Sequence, residues 1–458
     1  MATPFRLMAV ALLAGLVPGV LAAPASRADE PGGGVAIIPQ DAAFVSATLR
    51  LREQWERFAK SNAFAALKKL PAVQRALDQI EEQKVQPGSP LSMFATFMEL
   101  PENQQALDLL DDMISTDTFL YGEPSCVKFV ELFQKVQRAQ QAANILLMAR
   151  GGEFDLDVDL DFEALDGDDN GAAVPPGKAR IQPVQMVRTA PDELASRLVL
   201  QTLADNVDLI VVPDLVWGFK TSKLPAAESQ LKRIEVLIKL ITQANPDLAK
   251  SLDRRKVAGG EVVTFTIDGA TLPWDDMTRE ATEGMDGEAL DKVLDRLRSL
   301  DLVISLGMIG DRVVFSIGDS ADHLDKLGAS GGKPGLVATK PFEPLVADKG
   351  KLLTGVSYLS QAMAQVLAPS AADIEQLAEL ADTIAAEADL PEGAAAEARQ
   401  SLEKMAAGYK KRLPVPGPWM AYSFLADQGY EGYAWDWTQN RPFDGSKRLD
   451  LREHTGGA

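Results

Sequence analysis

The sequence predicts an α+β fold, with mixed or antiparallel sheets and flanking helices, and three observations carry that expectation. The stretch Asp208–Ile241 puts Leu215, Trp217 and Phe219 on one face of an extended segment by the two-residue period of a strand. An amphipathic helix follows at once, with Leu231, Ile234, Ile238 and Ile241 on one face and Lys232, Arg233, Glu235 and Lys239 turned outward. Residues 301–320 then read as two alternating strands joined around Gly310-Asp311, which is a hairpin signature. Finally, the order strand, helices, hairpin runs once through each half of the chain, so two similar halves are expected from order and not from residue identities.

The chain opens with Arg6, an apolar run from Leu7 to Leu21, and a small-residue segment. This reads as a secretory signal peptide over residues 1–28, cut after Ala28, with Ala22 and Ala25 as alternatives. The run is short for a membrane span, although an uncleaved anchor is the competing reading. No Cys lies near the junction to carry a lipid, and no later apolar run is long enough to cross a bilayer. A periplasmic or extracellular location is therefore expected.

A Gly-rich linker at 29–34 leads into a first α+β domain over 35–327. Within it, Ala43–Leu51 reads as a strand that turns helical at Arg52. Pro71, Pro87, Pro90 and Pro101 break the helical section that follows. A strand at Thr118–Tyr121 precedes a long helix, Val127–Arg150, which Gly151-Gly152 ends. Residues 151–178 form an acidic insertion. In it Asp155, Asp157, Asp159 and Asp161 alternate with apolar residues, which suits a sheet edge or a loop better than a central strand because like charges on one face repel. After the helix Pro191–Asn206 and the strand–helix unit come a strand at Glu261–Ile267, a helix at Glu288–Leu300, the hairpin, and a short helix at Ala321–Leu327. The Gly-rich stretch 328–335 is the expected boundary to a second α+β domain, 336–458. There Leu353–Leu359 is a strand, Gln361–Glu387 and Ala394–Arg412 are helical, and a closing hairpin turns at Gln428-Gly429. The last residues, LDLREHTGGA, carry no structural terminator, so a truncated carboxyl end is expected.

Composition removes several functions. A net charge of −20, spread along the chain, repels nucleic acid and anionic headgroups. The lone cysteine, Cys126, allows no internal disulfide, so packing must supply the stability; the thiol itself reads as a buried small residue. With only His323 and His454, a catalytic zinc site and a Ser-His-Asp triad both lack material.

Four patterns offer chemistry. Asp166-Gly167-Asp168-Asp169-Asn170-Gly171 matches the first half of a calcium loop, which makes Asp166, Asp168 and Asn170 the candidate metal ligands. The second half fails: Gly177 stands where a bidentate Glu belongs, and Pro175-Pro176 replaces the exit helix, so a solvated acidic linker is the expected reading and no cofactor is assigned. Ser125 and Lys128 have the spacing of a serine acyl-enzyme, but no Lys-Thr-Gly follows, and Ser401 and Lys404 repeat the spacing inside an Ala-rich helix. Tyr433, Trp435 and Trp437 alternate on one strand face, either as a stacking platform for a sugar or peptide or, as the commoner outcome, as core. Lys333 in the Gly-rich linker is followed by Pro334, which a phosphate loop does not allow.

Short phrases carry a resemblance. Pro39-x-Asp41-Ala42, then Val212-Pro213-Asp214-Leu215 running into Gly218-Phe219-Lys220, and Asp444-Gly445-Ser446-Lys447 resemble a group of exported bacterial proteins of unknown function. The resemblance implies an exported α+β protein and brings no catalytic residues. The expectation is a non-catalytic protein, binding or structural, whose partner is a protein or envelope component. Two alternatives stand: an envelope hydrolase using paired carboxylates near Asp155–Asp161 or in the loop Asp275–Asp286, and a calcium-dependent scaffold or adhesion module.

Overall fold

The computed structural model describes residues 33–86, 88–89, 92–93, 96, 103, 109–113, 116–150, 193–243, 251–257, 259–274, 287–328, 335–348, 350–368, 374–375, 378, 393–410, 413–426, 429–439 and 449–450. Among these residues eleven strands form one sheet: β1 (Phe44–Thr48), β2 (Thr118–Gly122), β3 (Leu215–Lys220), β4 (Leu252–Val257), β5 (Gly260–Asp268), β6 (Asp301–Ile309), β7 (Arg312–Gly318), β8 (Leu352–Leu359), β9 (Trp419–Ala426), β10 (Gly429–Asp436) and β11 (Leu449–Asp450). Their order across the sheet is β11-β10-β9-β8-β1-β2-β3-β7-β6-β5-β4, and every neighbouring pair is antiparallel. The fold is α+β.

Between the strands run the helices α1 (Leu51–Ala59), α2 (Asn62–Leu67), α3 (Pro71–Val85), α4 (Ser125–Arg150), α5 (Glu193–Asp205), α6 (Leu224–Gln243), α7 (Gly287–Arg298), α8 (Glu343–Ala347), α9 (Gln361–Leu367) and α10 (Ala394–Lys410). Their starts follow local chemistry. Ser61 caps α2 by accepting the Phe64 N–H at 3.1 Å, and Ser360 caps α9 by accepting the Met363 N–H at 3.2 Å. Pro71 opens α3, where its missing N–H costs nothing. Arg50 makes the turn from β1 into α1 in the left-handed region, at φ 55°, with its N–H donated to Asp117 Oδ1 at 3.2 Å.

Strand alternation decides what is buried. In β1, Val45 and Ala47 are buried while Ser46 and Thr48 are exposed; in β2, Phe119 and Tyr121 are buried and Leu120 is exposed. The buried face continues through Val216, Val314, Val356, Tyr358, Met420, Tyr422, Phe424 and Tyr433. It is covered by short segments: Val35 and Ile38, Leu324 in the 3-10 turn Asp322–Lys326, Leu336, Phe342, and Leu345 of α8. Phe119 is fully buried there, and its truncation to Ala is worth about 3–5 kcal/mol. On the opposite face, α4 and α9 close over Phe44, Leu215 and Leu359 through Val127, Val130 and Met363, and α6 lies over β4–β7. The helices α5 and α7 meet around Leu200, Ala204, Ala289 and Val293.

The two expected domains, 35–327 and 336–458, contribute strands to one sheet. Strand β8 pairs with β1 from Leu359↔Phe44 to Gly355↔Thr48, and one buried cluster contains Val45 and Phe119 together with Leu336, Phe342 and Val356. Segments on both sides of 328–335 therefore share one sheet and one buried cluster. The similar order of the two halves also differs in its wiring: β3 lies against β7, the second strand of its hairpin, while β8 lies against β9, the first strand of its own. Strand β4 has no counterpart among the sequence expectations. Its residues LDRRKV are too charged to read as a buried strand, and it is the outer edge of the sheet, where charged side chains discourage further pairing.

Candidate functional site

The side chains with the most chemical potential collect at one end of the central strands. Registers Phe44↔Gly122, Gly122↔Leu215 and Leu215↔Ile317 align the end of β2, the start of β3 and the end of β7. Just beyond these ends stand Asp41, Glu123, Asp214 and the turn Asp322–Lys326, which carries His323 and Lys326. Ser125 begins α4 directly after the end of β2.

Asp214 is the centre. Ser125 Oγ donates to Asp214 Oδ2 at 2.7 Å and accepts the Asp214 backbone N–H at 2.9 Å. The Asp214 carbonyl accepts from Glu123 N–H at 3.0 Å and from Cys126 Sγ–H at 3.3 Å. On the other carboxylate oxygen, His323 Nδ1 lies 3.4 Å away. Gly318 permits this approach, since a Cβ there would fall 2.4 Å from Asp214 Oδ1 and 2.8 Å from His323 Cε1. Lys326 bridges Glu123 and Asp41, the latter at 3.3 Å.

Burial sets the protonation of the cluster. Desolvation pushes the His323 pKa below its usual value against the opposing pull of Asp214, so the imidazole is neutral at neutral pH. The Ser320 backbone pulls weakly in the same direction as Asp214 without the geometry of a hydrogen bond. Desolvation raises Glu123, which the Lys326 hydrogen bond partly offsets, and it pushes the Cys126 thiol up to about 12. Tyr121 is raised well above its usual value by burial and then by Glu123. Five buried atoms here have no hydrogen-bond partner among the described residues: Tyr121 Oη, Glu123 Oε1, Asp214 Oδ1 and both His323 ring nitrogens. Such atoms cost about 1–3 kcal/mol each unless water bridges them.

The order of groups is serine, carboxylate, imidazole. A nucleophilic serine needs the imidazole in the middle, taking the hydroxyl proton while a carboxylate steadies its far nitrogen. Here the Ser125 proton goes to a carboxylate, and the imidazole sits on that carboxylate's other oxygen. Lys128 is exposed on α4, and both Ser125 hydrogen bonds go to Asp214; Ser401 and Lys404 are exposed on α10. The thiol of Cys126 is undissociated at neutral pH.

The three aromatic candidates fall at the far side of the sheet. Tyr433 is buried in the main core between Tyr422 and Phe424, with ring centroids at 5.4 and 6.1 Å. Trp435 and Trp437 are half-buried and stacked at 6.2 Å, and Trp435 Nε1 donates to Tyr422 Oη at 3.3 Å. Trp437 also lines a surface pocket of about 240 Å³ with Lys340, Pro416 and Gln439. Asp166, Asp168 and Asn170 lie outside the described residues, as do Asp155–Asp161 and the loop Asp275–Asp286. Among the described residues no three His, Cys, Asp or Glu side chains are placed to hold a metal ion, and no helix is long and apolar enough to cross a membrane.

A second feature is a sheet surface that sequence reasoning missed. On the helix-side face, aligned registers bring together Leu120, Ser46, Ser357, Ala421 and Ala434, and in the next row Thr118, Thr48, Gly355, Ser423 and Gly432. Leu120, Ser46 and Thr48 are exposed and the rest half-buried. Small residues alternating with buried ones are visible in each strand; that they line up in rows depends on register between distant segments. A scan of protein-family models finds no match to this chain, and searches of curated proteins and of solved structures find none either.

Proposed function

We propose that this chain is an exported, non-catalytic protein of the periplasm or cell envelope that binds or holds an envelope component through its sheet and helix surfaces. The observation that carries the reading is the pair of small-residue rows across β2, β1, β8, β9 and β10. A face of Ser, Thr, Gly and Ala lets a partner's backbone or side chains approach the sheet closely, and the exposed Leu120 supplies an apolar anchor beside it. The arrangement around Asp214 supports the non-catalytic part, since its hydroxyl, thiol and imidazole are each held away from nucleophilic use. The signal-like head and the resemblance to exported proteins support the location.

The hydrolase reading has one observation in its favour: Glu123, with its raised pKa and one unpartnered oxygen, stands near Asp214 and Asp41. Its side chain is only 2% exposed, which weighs against access by a polymeric substrate.

Because Cys126 is the only cysteine and its thiol is pushed up to about 12, single cysteines at Ser46 or Ser357 can carry a photo-crosslinker alone. Both positions are expected to capture the same envelope component, and Lys128→Cys on α4 is expected not to. Hydrolysis of envelope polymers by the wild type, lost in Glu123→Gln, would instead establish the enzyme.

A further inference from the structure

We infer that the space between α6 and strands β4–β7 is a binding site for a small uncharged apolar molecule. It is a cavity of about 230 Å³, separate from the small-residue rows and independent of the reading built on them. One wall is a single helix face: Leu231, Ile234, Glu235 and Ile238, at spacings of three and four. The other wall is the sheet, where registers align Leu252, Phe265 and Ile304 in one row and Val263, Leu306 and Phe315 in the next.

Two further observations point to an occupant. Val263, Phe265, Ile304, Leu306 and Phe315 are all half-buried beneath a helix, whereas Val262, Val303 and Val314, on the opposite face of the same strands, are buried. At its start α6 packs closely on the sheet, with Ala227 buried against Phe219 and Val313, but along Leu231–Ile238 it stands off where close packing is the norm. The chemistry of the lining then selects the ligand. Among the described lining residues the only charged group is Glu235, and both its oxygens are taken: Oε1 accepts from Lys239 at 2.7 Å and from Arg254 Nε at 3.2 Å, and Oε2 accepts from the Arg254 guanidinium. Among the described lining residues a polar or anionic group finds no free partner, and a carboxylate meets Glu235. Arg254 lies beside Val263 on the edge strand, so its link to Glu235 clasps α6 to β4 at the rim.

A dry 150 Å³ cavity accommodates benzene, and by that ratio this one takes about nine heavy atoms. Propylbenzene and 1-octanol have that size, and octanoate supplies the charged comparison. Saturation-transfer NMR with the full chain should show saturable binding of the first two and at least tenfold weaker binding of octanoate. Filling the cavity by Leu306→Phe, Ile304→Phe or, from the helix wall, Ile238→Phe should weaken binding at least tenfold without lowering the thermal midpoint. Leu240→Ser, on the exposed side of α6, should leave it unchanged. No binding at the solubility limit, equal affinity in the filled variants that keep the wild-type midpoint, binding lost in Leu240→Ser, or octanoate as tight as 1-octanol would each overturn the assignment.

Discussion

Ser125 and Asp214 exchange two hydrogen bonds, one from the serine hydroxyl to the carboxylate at 2.7 Å and one from the aspartate N–H back to the hydroxyl at 2.9 Å. The pair fixes the start of α4 to the entry of β3, so the long helix and the central sheet share one anchor point. A hydroxyl engaged twice in this way is a structural clasp.

Ser125→Ala leaves a partly buried N–H and a carboxylate oxygen short of partners. Stability should fall by about 1–3 kcal/mol, read as a lower urea midpoint with an unchanged slope. A change smaller than about 0.5 kcal/mol, the scatter of surface substitutions, would show that the clasp adds nothing.

Gly318→Ala places a methyl group against Asp214 Oδ1 and His323 Cε1, at 2.4 and 2.8 Å. Overpacking of this kind costs about 1–3 kcal/mol. Gly310→Ala, whose added Cβ meets nothing within 4 Å but sits at φ 61°, tests backbone strain alone. The Gly318 variant should be the less stable of the two by differential scanning calorimetry.

His323 makes stability depend on pH. Its folded-state pKa lies below the ordinary 6.5, so between those two values the unfolded chain binds the extra proton. Stability is therefore full above about pH 6.5 and declines as pH falls toward the folded pKa. In His323→Gln this segment of the stability–pH curve should flatten, and an unaltered curve would assign the slope to another group.

Glu235 works in the opposite range. The Arg254 hydrogen bonds, followed by that of Lys239, hold its pKa below 4.5, so its contribution is present above pH 4.5 and is lost as pH falls through the folded value. Arg254 is 45% exposed, so solvent screening limits the effect, and Glu235→Gln should cost about 1–2 kcal/mol at pH 7 and less at pH 3. Urea titrations at the two pH values check it.

Much of the secondary structure was legible in the chain because alternation and helical periodicity are local. Val45 and Ala47 against Ser46 and Thr48, or Phe119 and Tyr121 against Leu120, mark half-buried strands without any knowledge of their neighbours. The β6–β7 hairpin was equally legible, since Gly310 turns with φ 61° between two alternating runs. Strand β4 was not, because an edge strand is defined by what it pairs with and its charges imitate a loop.

The candidate sites were legible only as residue types. Cys126 was readable as a buried small residue, while Tyr433 among core aromatics required the fold to place it. His323 and Ser125 were set aside in the sequence for lack of partners nearby, yet Ser125 meets Asp214 across 89 positions. By itself the sequence determined the α+β class, most strand and helix positions, the net charge of −20, and the lack of any internal disulfide. Tertiary structure alone decided that β1 lies between β2 and β8, that one sheet spans the whole chain, and that serine, carboxylate and imidazole meet at its end. The reason is physical: periodicity records the burial of each residue along its own segment, whereas pairing and convergence depend on which distant segments share a face and a register.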